Sequence, residues 1–357
     1  MPTPTLEDRV CGALMGAFIG DALALGPHWY YDLDALHRDY GTWISDYTDP
    51  KPDRYHGGLK AGQSSQSGWL LELTLRSLVD CGGYDEADFC RRLDEDFFPL
   101  IDGSPHHGPG GYTNQSMREA WQLRVEQGLP WGKVGGHADN TEAAERTLAI
   151  AARYARAPRQ LAAYVSANTV LTQIDPTIGA MTTAYDAALG LLVQGQPFDP
   201  QISAKLMALV RSGELPFHTV TREGEEGVPQ GPETSRTVGH FASPDALLGM
   251  GSIARAARDP DVRIDPAWKV SLVYGMPCSV YHQFPAAYYL AARFADDFEA
   301  AVLNAVNSGG QNMARAMLTG ALVGAMVGID GIPKRFIDGL EHAQARQGLA
   351  REIAARV

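Results

Sequence analysis

The sequence has few cysteines and no concentrated positive charge. Among its 357 residues only Cys11, Cys81, Cys90 and Cys278 are cysteines, and they form neither a CxxC pair nor a zinc-type pattern with histidine. Such scattered thiols predict reduced cysteines in a cytoplasmic protein rather than a disulfide framework. The formal net charge is −12, and no run of Lys and Arg is present. A nucleic-acid partner is therefore not expected, because phosphate binding requires a basic face.

Long apolar runs are also missing. The most apolar stretch near the start, VCGALMGAFIG, has Glu7 and Asp8 before it and Asp21 directly after it. This stretch is too short to span a bilayer, and it lacks a basic leader and a convincing cleavage site. We therefore predict a buried helix and no membrane partner.

Strand-like alternation is absent as well, and helical periodicity predominates. In the first segment Leu6, Val10 and Leu14 recur every four residues, which places them on one face of a helix. Further segments with a helical period are 69–81, 85–93, 114–127, 141–157, 159–170, 177–194, 200–211, 244–258, 266–275 and 284–296. Because no linker or break in composition divides the chain, we predict a single all-α domain over residues 1–357.

Irregular stretches interrupt this pattern. Residues 32–67 are rich in Gly, Pro, Asp, Tyr and Ser, and residues 213–242 contain the acidic REGEEG. Irregular loops this long in a compact domain are usually functional or mobile. A shorter glycine-rich stretch, SPHHGPGGYTNQ at 104–115, could bring backbone N–H groups against a ligand.

Glycine recurs every four residues in two apolar segments. The rows are Gly12, Gly16 and Gly20 near the start, and Gly320, Gly324 and Gly328 near the end. Because glycine weakens a helix, a row of it indicates close approach of another helix. We hypothesise that these two helices meet at the centre of a bundle; the alternative is that both are separate core helices made of small residues.

Several of these stretches together resemble one known family. GALMGAFIGDALALGPHW resembles the first helix and GDALG loop of the ADP-ribosylglycohydrolases, and FPAAYYLAARFADDFEAAVLNAVNSGGQNMARAMLTGALVGAMVGIDGIPKRFIDGLE resembles their C-terminal signature. Between them, GLKAGQSSQSGWLLELTLRSL stands where the family carries a Thr-Asp-Asp-Thr motif before a helix. The motifs keep the family's order from end to end of the chain. The resemblance implies an all-α, orthogonal helical bundle whose active cleft lies where these loops converge.

The resemblance also implies a cofactor for which this sequence lacks the ligands. Family members typically hold two Mg²⁺ ions through an early Glu, the Thr-Asp-Asp triplet and an Asp-x-Asp after the paired glycines. The matching positions here are His28, Ser65, Gln66, Ser67, Gln311 and Met313. Hard divalent cations favour carboxylate oxygens, so we expect neither a metal nor another cofactor. A subset related to jellyfish lens crystallins also lacks these acids, and the sequence resembles that subset most.

Asp21 and His28 are the predicted catalytic residues. Asp21 lies in GDALA and matches the family's aspartate, while His28 stands at the position of a cleft-facing ligand. Imidazole titrates near neutrality and suits general acid/base catalysis, and the neighbouring Trp29 and Tyr30 could stack on a base or sugar. The alternatives are a structural carboxylate at a helix end and a hydrogen-bonded histidine in an aromatic loop.

Other polar residues are predicted to bind substrate because they fall on family loops. They are Ser65, Gln66, Ser67, Gly111, Tyr112, Asn114, Gln311 and Asn312. Gln311 and Asn312 follow two glycines at a helix start, where exposed N–H groups favour anions; an ordinary capped turn is the alternative. In HADNTEAAE, helix capping is the preferred interpretation of Asp139, and a general base is the alternative.

The leading hypothesis for function is a hydrolase that cleaves a glycosidic bond in an ADP-ribosyl, ribosyl or related small molecule without the dimagnesium centre. Its partner would be a small-molecule or ADP-ribosylated substrate. A rival hypothesis is a catalytically inactive binding or structural protein on the same fold, since fold alone does not establish activity. A third is a cleft rebuilt for another small-molecule reaction. The oligomeric state stays open.

Overall fold

The computed structural model describes residues 3–217 and 245–357, and within these ranges the chain is helical with only isolated β-bridges. The α-helices are α1 (Leu6–Ala24), α2 (Leu33–Tyr40), α3 (Gln66–Asp80), α4 (Glu86–Arg92), α5 (Gln115–Trp121), α6 (Glu142–Arg153), α7 (Pro158–Val170), α8 (Pro176–Val193), α9 (Ile202–Arg211), α10 (Asp245–Arg258), α11 (Val270–Tyr274), α12 (Val280–Arg293), α13 (Phe298–Val306), α14 (Asn312–Val327), α15 (Lys334–Gly339) and α16 (Ala343–Ala354). The π-helical turns Leu93–Phe97 and Gln122–Glu126 extend α4 and α5. Short 3₁₀ turns cover Phe98–Leu100, Ala267–Lys269 and Ile329–Gly331. The predicted all-α class is confirmed.

The two glycine-bearing helices, α1 and α14, lie against each other in the centre of the bundle. A Cβ atom on Gly16 would lie 2.2 Å from the carbonyl oxygen of Gly320, and the reverse distance is also 2.2 Å. Gly12 and Gly324 face each other in the same way. Because no side chain separates the backbones, the hypothesis that these helices meet is confirmed. α1 is buried on every side from Val10 onward, as expected for a central helix.

Each predicted helical segment contains a helix, but some helices lie outside those segments, α2, α15 and α16 among them. Residues 32–67 are not wholly irregular, because α2 forms there with Asp32 capping its first turn and Leu36 as its single buried residue. α16 was not predicted because its buried face carries few apolar residues, Ala350 and Ile353 among them, and also Arg346. In α2 and α16, polar residues hide the apolar period that sequence reading depends on.

Loops at one end of the bundle are tied together by backbone hydrogen bonds. The loop after α1 pairs with the turn before α14: Trp29 N donates to Gly310 O at 3.1 Å, and Gly310 N donates to Tyr30 O at 2.7 Å. Gly310 adopts a φ of +59°, a conformation that other L-residues rarely take. The loop before α6 joins the start of α12 where Val280 N donates to Asp139 O at 2.9 Å. These connections bring distant parts of the sequence to one place.

No helix in the ranges 3–217 and 245–357 combines the length and apolarity needed to cross a membrane. Most of the predicted irregular stretch 213–242, including REGEEG, lies outside the described residues.

Candidate active site

The tied loops enclose a small polar cavity. Its lining comprises His28, His56, Ser65, Gln66, Ser67, Tyr112, Asn114, Asn140, Glu142, Glu145, Gln311 and Met313. The open space is about 20 Å³, enough for about one ordered water molecule. The structure thus brings together residues separated by almost the whole length of the chain.

Ser65, which precedes the first residue of α3, connects the cavity to Asp21. The Ser65 hydroxyl caps the helix by accepting from Ser67 N at 3.0 Å and donates to Asp21 Oδ1. Ser65 N donates to Asp21 Oδ2 at 3.0 Å. Burial raises the pKa of Asp21 to about 6, although its hydrogen bonds with Ser65 lower it. Asp21 itself is fully buried and does not line the cavity, so it can act there only through Ser65.

Gly68 makes this arrangement sterically possible. A Cβ atom at Gly68 would lie 2.4 Å from Asp21 Oδ2, which is far inside van der Waals contact. The residue after the Ser-Gln-Ser turn must therefore lack a side chain for α3 to approach Asp21.

Glu145, in the first turns of α6, is a cavity residue that sequence reasoning missed. Its carboxyl accepts from the hydroxyls of Ser67 and Thr141, the latter at 2.6 Å. Burial raises the pKa of Glu145 to about 7, and the nearby Glu142 and Asp21 raise it further against the lowering effect of these hydrogen bonds. A carboxyl group with this pKa is populated in both protonation states near neutrality, which suits general acid/base catalysis.

Glu142 is the second missed carboxylate. It forms a buried ion pair with Arg146 one helical turn later, and its Oε2 atom also accepts from the Ser116 hydroxyl at 3.0 Å. Arg146 is held from the other side by Asn168, whose Oδ1 accepts from Nε at 2.7 Å. The pair keeps a negative charge in a dry environment, where an unpaired carboxylate would be strongly disfavoured.

A signal for both residues was present in the sequence. Glu142, Glu145 and Arg146 follow Thr141 in NTEAAER, but acids in the first turn of a helix are common and were not singled out. Asp139, the carboxylate considered in that stretch, does not line the cavity. Burial of α6 on all faces from Glu142 to Ala152 could not be foreseen from a helix with this many charges.

His28 belongs to a chain of hydrogen bonds with His56, which sequence reasoning also missed. His28 Nδ1 lies 2.6 Å from His56 Nε2, and His56 Nδ1 lies 2.9 Å from Gly110 O. His28 Nε2 lies 2.5 Å from Gln311 Oε1. Burial lowers the pKa of both histidines, and His56 also lowers that of His28, so both rings are neutral.

This chain has one consistent direction. A carbonyl oxygen only accepts, so His56 carries its proton on Nδ1, and His56 Nε2 accepts from Nδ1–H of His28. His28 Nε2 then has no proton, so with both rings neutral we infer that the Gln311 side-chain amide is turned to present its N–H₂ to Nε2 in place of Oε1. Both ring nitrogens of His28 are thus engaged with the protein, and its predicted acid/base role requires one of these bonds to break.

Aromatic side chains form the wall beside His28. The Trp29 ring lies 4.5 Å from that of Tyr112 and 4.8 Å from that of Tyr55, measured between centroids. Trp29 adopts a φ of +64°, an unusual conformation that costs on the order of 1–3 kcal/mol and often marks functional loops. Tyr30 points elsewhere: it is 2% exposed and donates to Asp39 Oδ2 at 2.5 Å, so its predicted stacking on substrate would need a rearrangement.

The remaining predicted binding residues divide into two groups. Gln66, Ser67, Tyr112, Asn114 and Gln311 line the cavity. Gly111 does not line the cavity, although a Cβ atom there would lie 2.8 Å from His56 Nδ1. Asn312 is buried below, where its Nδ2 donates to Pro27 O at 3.1 Å and Val306 O at 3.0 Å. Asn312 thus stabilises the turn.

Polar atoms of the cavity residues remain available to a ligand. Gln66 Nε2, Asn140 Oδ1 and Glu142 Oε1 are buried and have no hydrogen-bond partner among the described residues. An unpaired buried polar atom costs about 1–3 kcal/mol, so such atoms in one cavity indicate that water or substrate completes them.

The donor set does not fit a pair of magnesium ions. The residues that the structure describes contain no group of three or more His, Cys, Asp and Glu able to hold a metal. At the positions matching the family's ligands, the cavity presents hydroxyl, amide, imidazole and thioether groups from Ser65, Gln66, Ser67, His28, Gln311 and Met313. Mg²⁺ strongly favours oxygen ligands in octahedral geometry, and the Oε2 atom of Glu142 is already paired with Arg146.

Comparisons with known proteins agree with this architecture. A sequence model described as ADP-ribosylglycohydrolase matches residues 2–357. An uncharacterized protein of Archaeoglobus fulgidus is 22% identical over 350 residues, which cover 98% of this chain and 96% of that protein. A solved structure of an ADP-ribosylglycohydrolase-related protein complex has the same fold, with a TM-score of 0.62 and 19% identity over 98% of each chain. Because the family match spans essentially the whole sequence, the chain belongs to the ADP-ribosylglycohydrolase family.

Proposed function

We propose that the protein hydrolyses a glycosidic bond in an ADP-ribosyl, ribosyl or related small-molecule substrate without a dimagnesium centre. Family membership supports the class of reaction. The observation that carries the rest is the cavity's pair of buried carboxyl groups, Glu145 with a pKa of about 7 and Glu142 with an unpartnered Oε1 among the described residues.

The two carboxyl groups can divide the chemistry between them. Protonated Glu145 would donate its proton to the leaving atom as the bond from that atom to the anomeric carbon breaks, and the bonding electrons would go to the leaving atom. A water molecule would bond to the anomeric carbon and give a proton to Glu142 Oε1. The negative charge of Glu142 would also stabilise the oxocarbenium-like transition state, as in other glycosidases that use two carboxyl groups.

The other cavity residues would position the substrate. Because the enclosed space accommodates about one water molecule, the attacking water would occupy it, and the sugar would lie over its mouth against Trp29 and Tyr112. Gln66 and Asn140 offer a donor and an acceptor for hydroxyl groups. His28 would orient the Gln311 amide through their hydrogen bond, and Asp21 would orient Ser65 in the same way. Both predicted catalytic residues would therefore be positioning residues.

A catalytically inactive binding or structural protein is the second candidate. The narrow cavity and the replacement of acidic metal ligands by Ser65, Gln66, Ser67 and Gln311 favour it, and the resemblance to the crystallin-related subset agrees with it. This candidate requires that no ribosylated substrate is turned over.

The test is hydrolysis of ADP-ribosyl-arginine and other ribosylated small molecules by the purified protein, with and without EDTA. We expect turnover that EDTA does not change and that Glu145→Gln reduces about 100-fold or more, the usual contribution of a general acid or base. Asp186→Asn is the matched control, because Asp186 is equally buried but lies outside the cavity. Turnover abolished by EDTA would contradict the metal-free mechanism, and no turnover on any substrate would favour the inactive protein.

A further inference from the structure

A second, larger cavity lies along α3, farther from the start of that helix than the residues that line the candidate active site. It occupies about 390 Å³, within the size range of small-molecule sites. Its lining comprises Trp69, Glu72, Leu73, Arg76, Arg92, Asp96, Phe97, Glu341, His342, Ala345 and Arg346. We refer to it as the α3–α16 groove, because it lies between α3, the π-helical turn after α4 and the start of α16.

The apolar part of the groove presents an aromatic surface. Trp69 is 47% exposed, and it stands on the same face of α3 as Leu73, one helical turn later. Phe97, from the adjoining turn, also lines the groove but is only 1% exposed, so Trp69 supplies the accessible ring. Aromatic side chains bind flat rings by offset stacking or edge-to-face contact, so a planar apolar ligand fits this surface.

The charges around the groove balance. Arg76, Arg92 and Arg346 are matched by Glu72, Asp96 and Glu341. Arg92 is further engaged outside the groove, with Asp80 at 2.7 Å and Asp88 at 2.6 Å. A phosphate or another strong anion would therefore meet no net positive charge here, and a neutral ligand is favoured.

The rim nevertheless offers both donors and acceptors. Glu72 lies between two guanidinium groups, accepting from Arg76 Nη2 at 2.6 Å and from Arg346 Nε at 3.1 Å. The Arg76 side chain is 52% exposed and keeps N–H groups for a ligand. Asp96 and Glu341 supply carboxylate oxygens on the other side. A ring whose edge carries donors and acceptors would use both.

From these features we propose that the α3–α16 groove binds a neutral, flat heteroaromatic ligand of the nucleobase type. The ring lies against Trp69, and its edge bonds Arg76 and a rim carboxylate. The groove is separate from the cavity of the candidate active site. The two share α3, because the first residues of that helix line the cavity. The proposal does not depend on glycosidase activity.

Calorimetric titration of the full chain with adenine and with cytosine tests the proposal. We expect saturable binding of at least one base, weakened about tenfold or more by Trp69→Ala. Trp43→Ala is the matched control, since Trp43 is also half-exposed at 42% but does not line the groove, and it should leave binding unchanged. Arg76→Gln, at an exposed side chain, is a second variant that should weaken binding if Trp69→Ala fails to fold.

Further arms separate this site from the active site. Glu145→Gln and Gln66→Ala should leave base binding unchanged, whatever they do to hydrolysis, and adenosine monophosphate should bind no more tightly than adenine. No saturable binding of either base would overturn the proposal. The proposal would also be overturned if neither Trp69→Ala nor Arg76→Gln weakened binding. Loss of binding on Gln66→Ala would overturn it as well, because either result places the ligand outside the groove.

Discussion

The contact between α1 and α14 and the cavity beside it illustrate two ways of burying backbone and polar groups. In the helix contact, Gly12, Gly16, Gly320 and Gly324 bring two backbones together with no side chains between them. In the cavity, the side chains are almost all polar and come from loops and helix starts. The helix contact requires that no side-chain atoms lie between the two backbones. The cavity requires that its buried charged groups have partners. Substitutions in the two regions should therefore destabilise the protein for different reasons and by different amounts.

Gly16→Ala should have the largest effect. Its Cβ would lie 2.2 Å from the Gly320 carbonyl oxygen, and a backbone atom in the core cannot move aside cheaply. We expect a loss of about 3 kcal/mol or more in the free energy of unfolding, measured by urea denaturation. Gly249→Ala in α10 is the control, because a Cβ there meets no described atom within 4 Å, and alanine favours a helix by about 1 kcal/mol over glycine. Equal effects of both would show that close approach does not matter.

Arg146→Met should have a comparable effect by a different mechanism. It leaves the buried Glu142 carboxylate without its partner, which typically costs about 3–5 kcal/mol. Adding Glu142→Gln should recover part of this loss, because the uncompensated charge is then gone. A double variant no more stable than Arg146→Met would mean that packing of the arginine, rather than its charge, is what matters.

Glu145→Gln should change how stability depends on pH. The pKa of Glu145 is raised from 4.5 to about 7, so the folded state holds a proton that the unfolded state has lost between these values. The stability of the unmodified protein therefore falls as pH rises through this window, by up to about 3 kcal/mol from this group. Asp21, with a pKa raised from 3.8 to about 6, adds a similar loss at slightly lower pH in both proteins.

Unfolding at pH 5 and pH 8 tests this prediction. Glu145→Gln, which mimics the protonated acid, should match the unmodified protein near pH 5 and be more stable by about 3 kcal/mol at pH 8. Asp186→Asn should also gain stability relative to the unmodified protein as pH rises, because burial raises the pKa of Asp186 well above its usual range and the same linkage applies. A constant difference for Glu145→Gln at both pH values would contradict the raised pKa.

His56→Phe should have the smallest effect of the series. It leaves Nδ1–H of His28 and the Gly110 carbonyl without partners, at a cost of about 1–3 kcal/mol.

Nitrogen NMR of the imidazole rings should find both histidines protonated on Nδ1 in the unmodified protein. Protonation of His28 on Nε2 would reverse the inferred direction of the chain and turn the Gln311 amide around.

The two regions also differ in how far they could be read from the sequence. The contact between α1 and α14 was predicted because glycine at every fourth residue is a local pattern with one physical meaning. His28, Ser65, Gln66, Ser67 and Gln311 were predicted to meet, and they do line one cavity, although that knowledge came from family motifs rather than from periodicity. What they do there remains a prediction.

Neither the helical period nor the family motifs pointed to Glu142, Glu145 and His56. Acids at the start of a helix are usually solvated, and a lone histidine in a polar loop carries no pattern. Their importance lies in burial and in partners such as Arg146, Ser67 and His28, which are distant in sequence or hidden by ordinary helical composition. Only their positions in the folded chain give them shifted pKa values or unpaired atoms.

By itself the sequence predicted the all-α class and the contact of the glycine-bearing helices, both of which the structure shows, while the loss of the family's acidic metal ligands remains a prediction from the resemblance. Helix period and side-chain size act over a few residues, so they are legible along the chain. The tertiary structure decided which carboxyl groups lie in the cavity, which groups the two ring nitrogens of His28 contact and where a second cavity opens beside α3. Those properties depend on electrostatics and desolvation at distances set by packing, which no local stretch of sequence encodes.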